Sequence, residues 1–120
     1  MPLHKIAVIG GDGIGPEVTR EACVMLSALQ DSLPELKLEF TEFDWGSDFF
    51  LKTGRMMPED GLEQLKSFDA ILFGSAGSLE VPDYITLLGL RLEICQHFDQ
   101  YANVRPSRLL PGIQSPLKNI

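Results

Sequence analysis

At 120 residues with 44% apolar side chains, the chain can bury one hydrophobic core and has neither a disordered nor a fibrous composition. A formal charge of −7 opposes phosphate backbones and anionic lipid, which argues against nucleic acid and membrane surfaces as partners. No apolar run is long enough for a signal-peptide core or a membrane span, and two cysteines without CxxC spacing support neither a disulfide framework nor a zinc site, so the expected location is cytoplasmic.

The first element is the apolar run Ile6 to Ile9, whose lack of polar alternation predicts a parallel strand covered on both faces. It leads into Gly10, Gly11, Gly13 and Gly15, then Pro16 and Glu17, residues suited to the first turn of a helix. Glycines there admit positive φ and a close ligand, and ligands of open α/β sheets bind where strands end. The plainer alternative is a tight strand-to-helix connection. The spacing is not G-x-G-x-x-G, because Pro16 stands where the last glycine would be, and no phosphate-loop lysine follows.

Residues 16 to 30 follow as an amphipathic helix with Val18, Ala22, Cys23, Met25, Leu26 and Leu29 on its apolar stripe, which makes Cys23 a small buried hydrophobe. Leu36, Leu38 and Phe40 alternate with polar residues and predict a more exposed strand. Trp45 to Lys52 predicts a short helix ended by Gly54, and Pro58-Glu-Asp60 opens another that reaches about Ser67. Ala70 to Phe73 is a second continuous apolar strand running into Gly74-Ser-Ala-Gly77, a repeat of the strand-to-glycine arrangement, so the two turns could face one crevice.

Asp83 is the expected N-cap of a helix that runs to about His97 and carries Leu88, Arg91, Leu92 and Cys95 on one face. Arg91 reads first as a side chain reaching solvent from a half-buried stripe. Beyond it, Gln100 to Pro106 looks extended, and Arg105 and Arg108 come nearest to an anion-binding cluster, although isolated arginines are more often solvated. His4 and His97 stand alone, without partners at metal spacing. The turn-rich end after Leu110 closes no element, so the chain reads as a domain cut short.

Taken together, Gly11-Asp-Gly-Ile-Gly-Pro-Glu17, Phe73-Gly-Ser-Ala-Gly77, Pro82-Asp83 and Phe98-Asp-Gln-Tyr-Ala-Asn-Val-Arg-Pro106 resemble the β-decarboxylating dehydrogenases, the isocitrate/isopropylmalate dehydrogenase family. The likeness is nearest the tartrate/D-malate type in Asp44-Trp45, Met56-Met-Pro58, Val81-Pro-Asp83 and Leu109-Leu-Pro-Gly112. It implies an α/β fold with part of a doubly wound, mostly parallel sheet of the isopropylmalate dehydrogenase-like kind. Residues 1–120 would then be the first part of the large N-terminal domain, with 99–120 leading toward the small domain.

By the same resemblance the activity is NAD-dependent oxidation and decarboxylation of a 2-hydroxy acid, assisted by magnesium or manganese, in a homodimer whose partner contributes to the active site. Carried over by position, Arg105 grips a substrate carboxylate, Arg91 and Leu88 read the variable tail of the substrate, Ile14 lies against the adenosine, and Gly74, Ser75, Ala76, Gly77 and Leu87 border the nicotinamide end. Cys95 departs from the pattern, since the family commonly has an arginine there. The family's catalytic tyrosine and lysine and its metal-binding aspartates belong to later parts of a chain roughly two to three times as long, so residues 1–120 alone should be inactive. Asp12, Asp83 and Asp99 are explained by cap and turn roles. The competing readings are a noncatalytic, flavodoxin-like nucleotide-binding module and a degenerate stump.

Overall fold

A computed structural model describes residues 2–117. Strand β1 (Leu3–Gly11) lies at the centre of a three-stranded parallel sheet in the order β2-β1-β3, with β2 spanning Lys37–Phe43 and β3 spanning Ala70–Ser75. Ala7, Val8 and Ile9 are fully or nearly buried, as a central strand covered on both faces requires. Beta2, at an edge, keeps the alternation expected of it, with Leu38 and Phe40 half-buried between exposed neighbours.

Side chains alternate across a sheet, so register decides which residues share a face. Ile9 is in register with Phe43 on one side and Phe73 on the other, and Ala7 with Ile71. These residues meet Trp45, Met56, Met57, Leu65, Leu90 and Ile94 in one core, built on the face that carries the short helices α2 (Ser47–Thr53) and α3 (Gly61–Leu65) and the segment after β3. The rings of Phe43 and Trp45 lie 4.4 Å apart in that core, a distance at which aromatic pairs attract. Gly54 ends α2 in a left-handed conformation (φ 80°), as its place in the sequence predicts.

The opposite face receives α1 (Gly15–Ser32). Its inner side is Gly15, Thr19, Ala22, Cys23 and Leu26, while Val18, Met25 and Leu29 from the expected stripe face outward. Cys23 is accordingly half-buried rather than buried. Thr19 can occupy the contact because its hydroxyl donates to the carbonyl of Gly15 at 2.9 Å, leaving no unsatisfied polar group.

Two expectations for the last helical region are corrected. Asp83 is the first helical residue of α4 (Asp83–Thr86), not its cap; Pro82 holds the cap position, and no side chain caps it. The helix also does not continue regularly: a π-helical turn, Leu87–Arg91, separates α4 from α5 (Leu92–His97). The wider turn shifts the angular register, and the buried positions become Thr86, Leu90 and Ile94, whereas Leu88 and Arg91 are exposed. Asp99 adopts a left-handed turn conformation (φ 50°), in keeping with its expected turn role. None of the helices among the described residues is long and apolar enough to cross a membrane.

The glycines of the two strand ends are held in contact. A Cβ on Gly74 would stand 2.2 Å from the carbonyl oxygen of Gly10 and 2.8 Å from Cα of Gly15; one on Gly11 would stand 1.9 Å from the carbonyl oxygen of Ser75. Gly13 (φ 58°) instead faces open space. Gly74→Ala should therefore destabilise the chain by at least about 3 kcal/mol, because backbone rather than a movable side chain blocks the added methyl. Gly13→Ala should cost only the left-handed penalty of about 1 kcal/mol. Urea unfolding midpoints of the two variants check the contrast.

Candidate functional site

Reversal of strand order places a topological switch point between β1 and β3, and both glycine turns lie at the carboxyl ends of those strands. Such a crevice is where open α/β sheets hold ligands. Two hydrogen bonds to backbone carbonyls join the turns: Asp12 N–H donates to the carbonyl of Ser75 at 2.8 Å, and Ser75 Oγ donates to the carbonyl of Asp12 at 2.5 Å.

Asp12 is the polar centre of this region and is only 6% exposed. It does not cap its own helix, since Ile14 holds the cap position of α1 without a side-chain bond. Its Oδ1 accepts the N–H of Ser47 at 2.6 Å, and its Oδ2 accepts the hydroxyl of Ser47 at 2.8 Å and the N–H of Gly77 at 2.9 Å. The carboxylate thus caps α2 from a remote part of the chain, where the exposed N–H groups and positive helix end favour an anion. Gly46 makes room for it, since a Cβ there would sit 2.8 Å from Oδ1. The cap-or-turn explanation of Asp12 misses this tertiary role, because its partners lie far along the chain. The signal open to sequence reasoning was an acid placed between glycines at the end of a buried strand.

The remaining candidates fall into three groups. Ile14 stands at the head of α1 with its side chain 70% exposed, next to open Gly13. Gly74 and Ser75 face inward onto the β1 turn, while Ala76 and Gly77 carry the chain to the surface, Gly77 at φ 143° with open space around it. These residues are brought together with Asp12. Leu87, Leu88 and Arg91 form the second group, all exposed on the π-helical turn. Leu88 helps to line a cleft of about 330 Å³ with Tyr84, Met56, Arg55 and Glu93.

Arg105 stands apart from both groups on the arm after Asp99. It is exposed, and its Nε donates to Asn103 Oδ1 at 3.2 Å, a local contact. Cys95 is half-buried in α5. A larger cleft, about 590 Å³, opens on the β2 side of the Asp12 region between Arg20, Glu42, Asp44, Trp45 and Lys52; it touches Gly10 and Gly11 of the first glycine turn but none of the residues assigned to cofactor or substrate. Among the described residues no three histidine, cysteine, aspartate or glutamate side chains converge to hold a metal ion.

Comparison with known proteins agrees with this architecture. The isocitrate/isopropylmalate dehydrogenase family matches residues 5–120. A probable tartrate dehydrogenase/decarboxylase of Agrobacterium vitis is 59% identical over 99% of this chain and 33% of its own length. A 3-isopropylmalate dehydrogenase of Mycolicibacterium vanbaalenii is 48% identical over 94% of this chain and 32% of its own. The crystal structure of a β-decarboxylating dehydrogenase from Thermococcus kodakarensis in its apo form superimposes with a TM-score of 0.56 at 34% identity, covering 77% of this chain and 27% of that one. The chain spans about one third of the length of the curated relatives it matches.

Near the larger cleft, burial and then the Glu42 carboxylate raise the Cys23 thiol above its usual pKa. The folded chain therefore holds the proton longer than the unfolded chain does. The associated stability is present below the unfolded thiol's value of about 8.5 and is lost as pH rises through the folded one. Cys23 should react with a disulfide reagent at pH 8 several-fold more slowly in the folded chain than in urea, because the thiolate is the nucleophile. Glu42→Gln should recover only a minor part of the rate, burial being the larger cause; a Cys95→Ser background isolates the signal.

Proposed function

The chain belongs to the isocitrate/isopropylmalate dehydrogenase family, and on that premise we propose that residues 1–120 form the opening part of an NAD-dependent enzyme that oxidises and decarboxylates a 2-hydroxy acid, of the tartrate or D-malate class. The observation that carries the reading is the meeting of two glycine turns at the β1/β3 switch point, with open backbone at Gly13 and Gly77. The 59% identity to a probable tartrate dehydrogenase/decarboxylase supports the substrate class, while a tartrate enzyme of Pseudomonas putida and an isopropylmalate enzyme are equally similar at 48%.

In this reading NAD supplies the hydride acceptor. Ile14 offers its exposed apolar side chain to the adenosine, and Ala76, Gly77 and Leu87 form the edge that meets the nicotinamide end, backed by Gly74 and Ser75. Arg105 takes a substrate carboxylate with its planar fork, and Arg91 with Leu88 selects the tail of the acid. The reaction removes hydride from the hydroxyl-bearing carbon and a proton from its oxygen; the bond to the β-carboxylate then breaks, leaving an enolate and carbon dioxide. Magnesium or manganese finds no ligand set among the described residues and would draw its ligands from elsewhere in the assembled homodimer.

The surface supports placing these residues within a larger assembly, and the proposed location of that assembly is cytoplasmic. A compact monomer of this mass exposes about 6,500 Å², whereas this chain exposes 8,897 Å². Its radius of gyration is 16.8 Å where about 13.6 Å is usual for the length. Val24 and Met25 on the outer side of α1, and Tyr101, Val104 and Leu110 on the arm, contribute exposed apolar surface. A noncatalytic nucleotide-holding module is the second reading, favoured by the strand order β2-β1-β3, which is that of flavodoxin-like sheets.

Reduction of NAD by the native polypeptide with tartrate or D-malate and magnesium or manganese is the deciding assay. Turnover is expected from it and none from residues 1–120 alone; nucleotide binding without turnover by the native polypeptide would select the second reading. Arg105→Ala should raise KM for the acid roughly ten- to a hundredfold, the loss expected for a charge-assisted hydrogen bond. Ile14→Glu should weaken NAD binding about tenfold, the effect of removing one half-buried aliphatic contact.

A further inference from the structure

We propose that Asp12 is a positioning residue: its carboxylate locks the loop after β3 to the start of α2, and so sets the backbone geometry on which nucleotide contact at Ala76 and Gly77 depends. The nucleotide part rests on the function proposed above. The lock rests on geometry alone.

Between Ser75 and Val81 the loop has little packing of its own. Gly77 has open space on its Cβ side and Leu79 is fully exposed, while Val81 is buried again. The one hydrogen bond between this stretch and a remote part of the chain, among the described residues, is the donation from Gly77 N–H to Asp12 Oδ2. On the other side, the same carboxylate takes both the N–H and the hydroxyl of Ser47. The backbone of Asp12 is itself clamped to Ser75. The loop is therefore referenced to β1, β3 and α2 through a single side chain.

The three side-chain partners are all donors, which suits an ionised carboxylate, an acceptor at both oxygens. An asparagine cannot replace it. With its amide nitrogen at the Oδ1 position it opposes the N–H of Ser47; with that nitrogen at Oδ2 it opposes the N–H of Gly77. Either orientation leaves a backbone donor facing another donor in a buried site, the costly case for a hydrogen bond.

Hydrogen exchange and nucleotide affinity, measured on the native polypeptide carrying residues 1–120, test the proposal. In Asp12→Asn the amides of Gly77 and Ser47 should exchange roughly ten- to a hundredfold faster, while the β1–β3 ladder amides around Val8 and Leu72 keep their protection. KM for NAD should rise about tenfold with kcat held within about threefold, a split that general loss of stability does not produce. Ser47→Ala, which retains the charge and removes one donor, is the milder variant; it should speed exchange at Gly77 a few-fold and serves if the asparagine variant does not fold. Unchanged protection at Gly77, or a uniform rise across the whole chain, overturns the lock. Localised acceleration in Asp12→Asn, together with a wild-type protein that has no affinity for NAD, leaves the lock standing and refutes the functional reading.

Discussion

The contact between the end of β3 and the turn after β1 is the constraint on which the rest of the molecule depends. The carbonyl of Gly10 and Cα of Gly15 occupy the volume that a side chain on residue 74 would need. With no Cβ at residues 10, 11, 15 and 74, the two strand ends and the first turn of α1 approach to backbone distance. That closeness allows one helix to cover β1 and β3 together, and it brings the carboxyl ends of both strands to the same place. The close approach at the switch point of the sheet is thus built from backbone.

Onto this frame the buried carboxylate of Asp12 adds direction. Most charge in this acidic chain is solvated; Lys66 and Glu63, for example, pair at 2.6 Å but are both largely exposed, a pairing that contributes at most about 1 kcal/mol. Asp12 differs in being withdrawn from water and surrounded by donors, in the lower dielectric that strengthens each bond. A single acid therefore organises three segments, whereas Asp69 makes one long-range bond, accepting the N–H of Lys5 at 2.8 Å from an exposed position.

The sheet was legible in the sequence because its strands differ in pattern for a physical reason. The continuous apolar run at Ile6–Ile9 is what the buried central strand needs, the run at Ala70–Phe73 forms the half-buried strand beside it, and the alternation at Leu36–Phe40 is what a half-exposed edge needs. The stop at Gly54 was legible for the same kind of reason, since only glycine takes that φ without strain. Long-range and angular information was not. The glycine pattern is compatible both with ligand approach and with close packing; Gly10, Gly11, Gly15 and Gly74 follow the second, and Gly13 alone in the first turn faces open space. The π-helical turn inserts its extra width around Gly89, which helical spacing alone does not distinguish from an ordinary helical glycine, and Leu88 and Arg91 lie on the exposed side of that turn. For Asp12, the donors at residues 47 and 77 become neighbours only after the sheet has formed.

The two halves of the candidate site stand on unequal footing. Ile14 and Gly77 flank strand ends that are joined through Asp12, whose backbone bonds Ser75 and whose carboxylate bonds Gly77. Arg105 belongs to an arm whose described hydrogen bonds are local: Tyr101 N–H to Asp99, Arg105 Nε to Asn103, and Ile113 N–H to Leu110. A segment with exposed side chains and only local bonds lies at the low end of local stability. A guanidinium gains little by pairing with a carboxylate from such a segment, because ordering the arm opposes the attraction. If Arg105 acts as proposed, a further protein surface has to hold the arm, whereas the two glycine turns are already joined through Asp12.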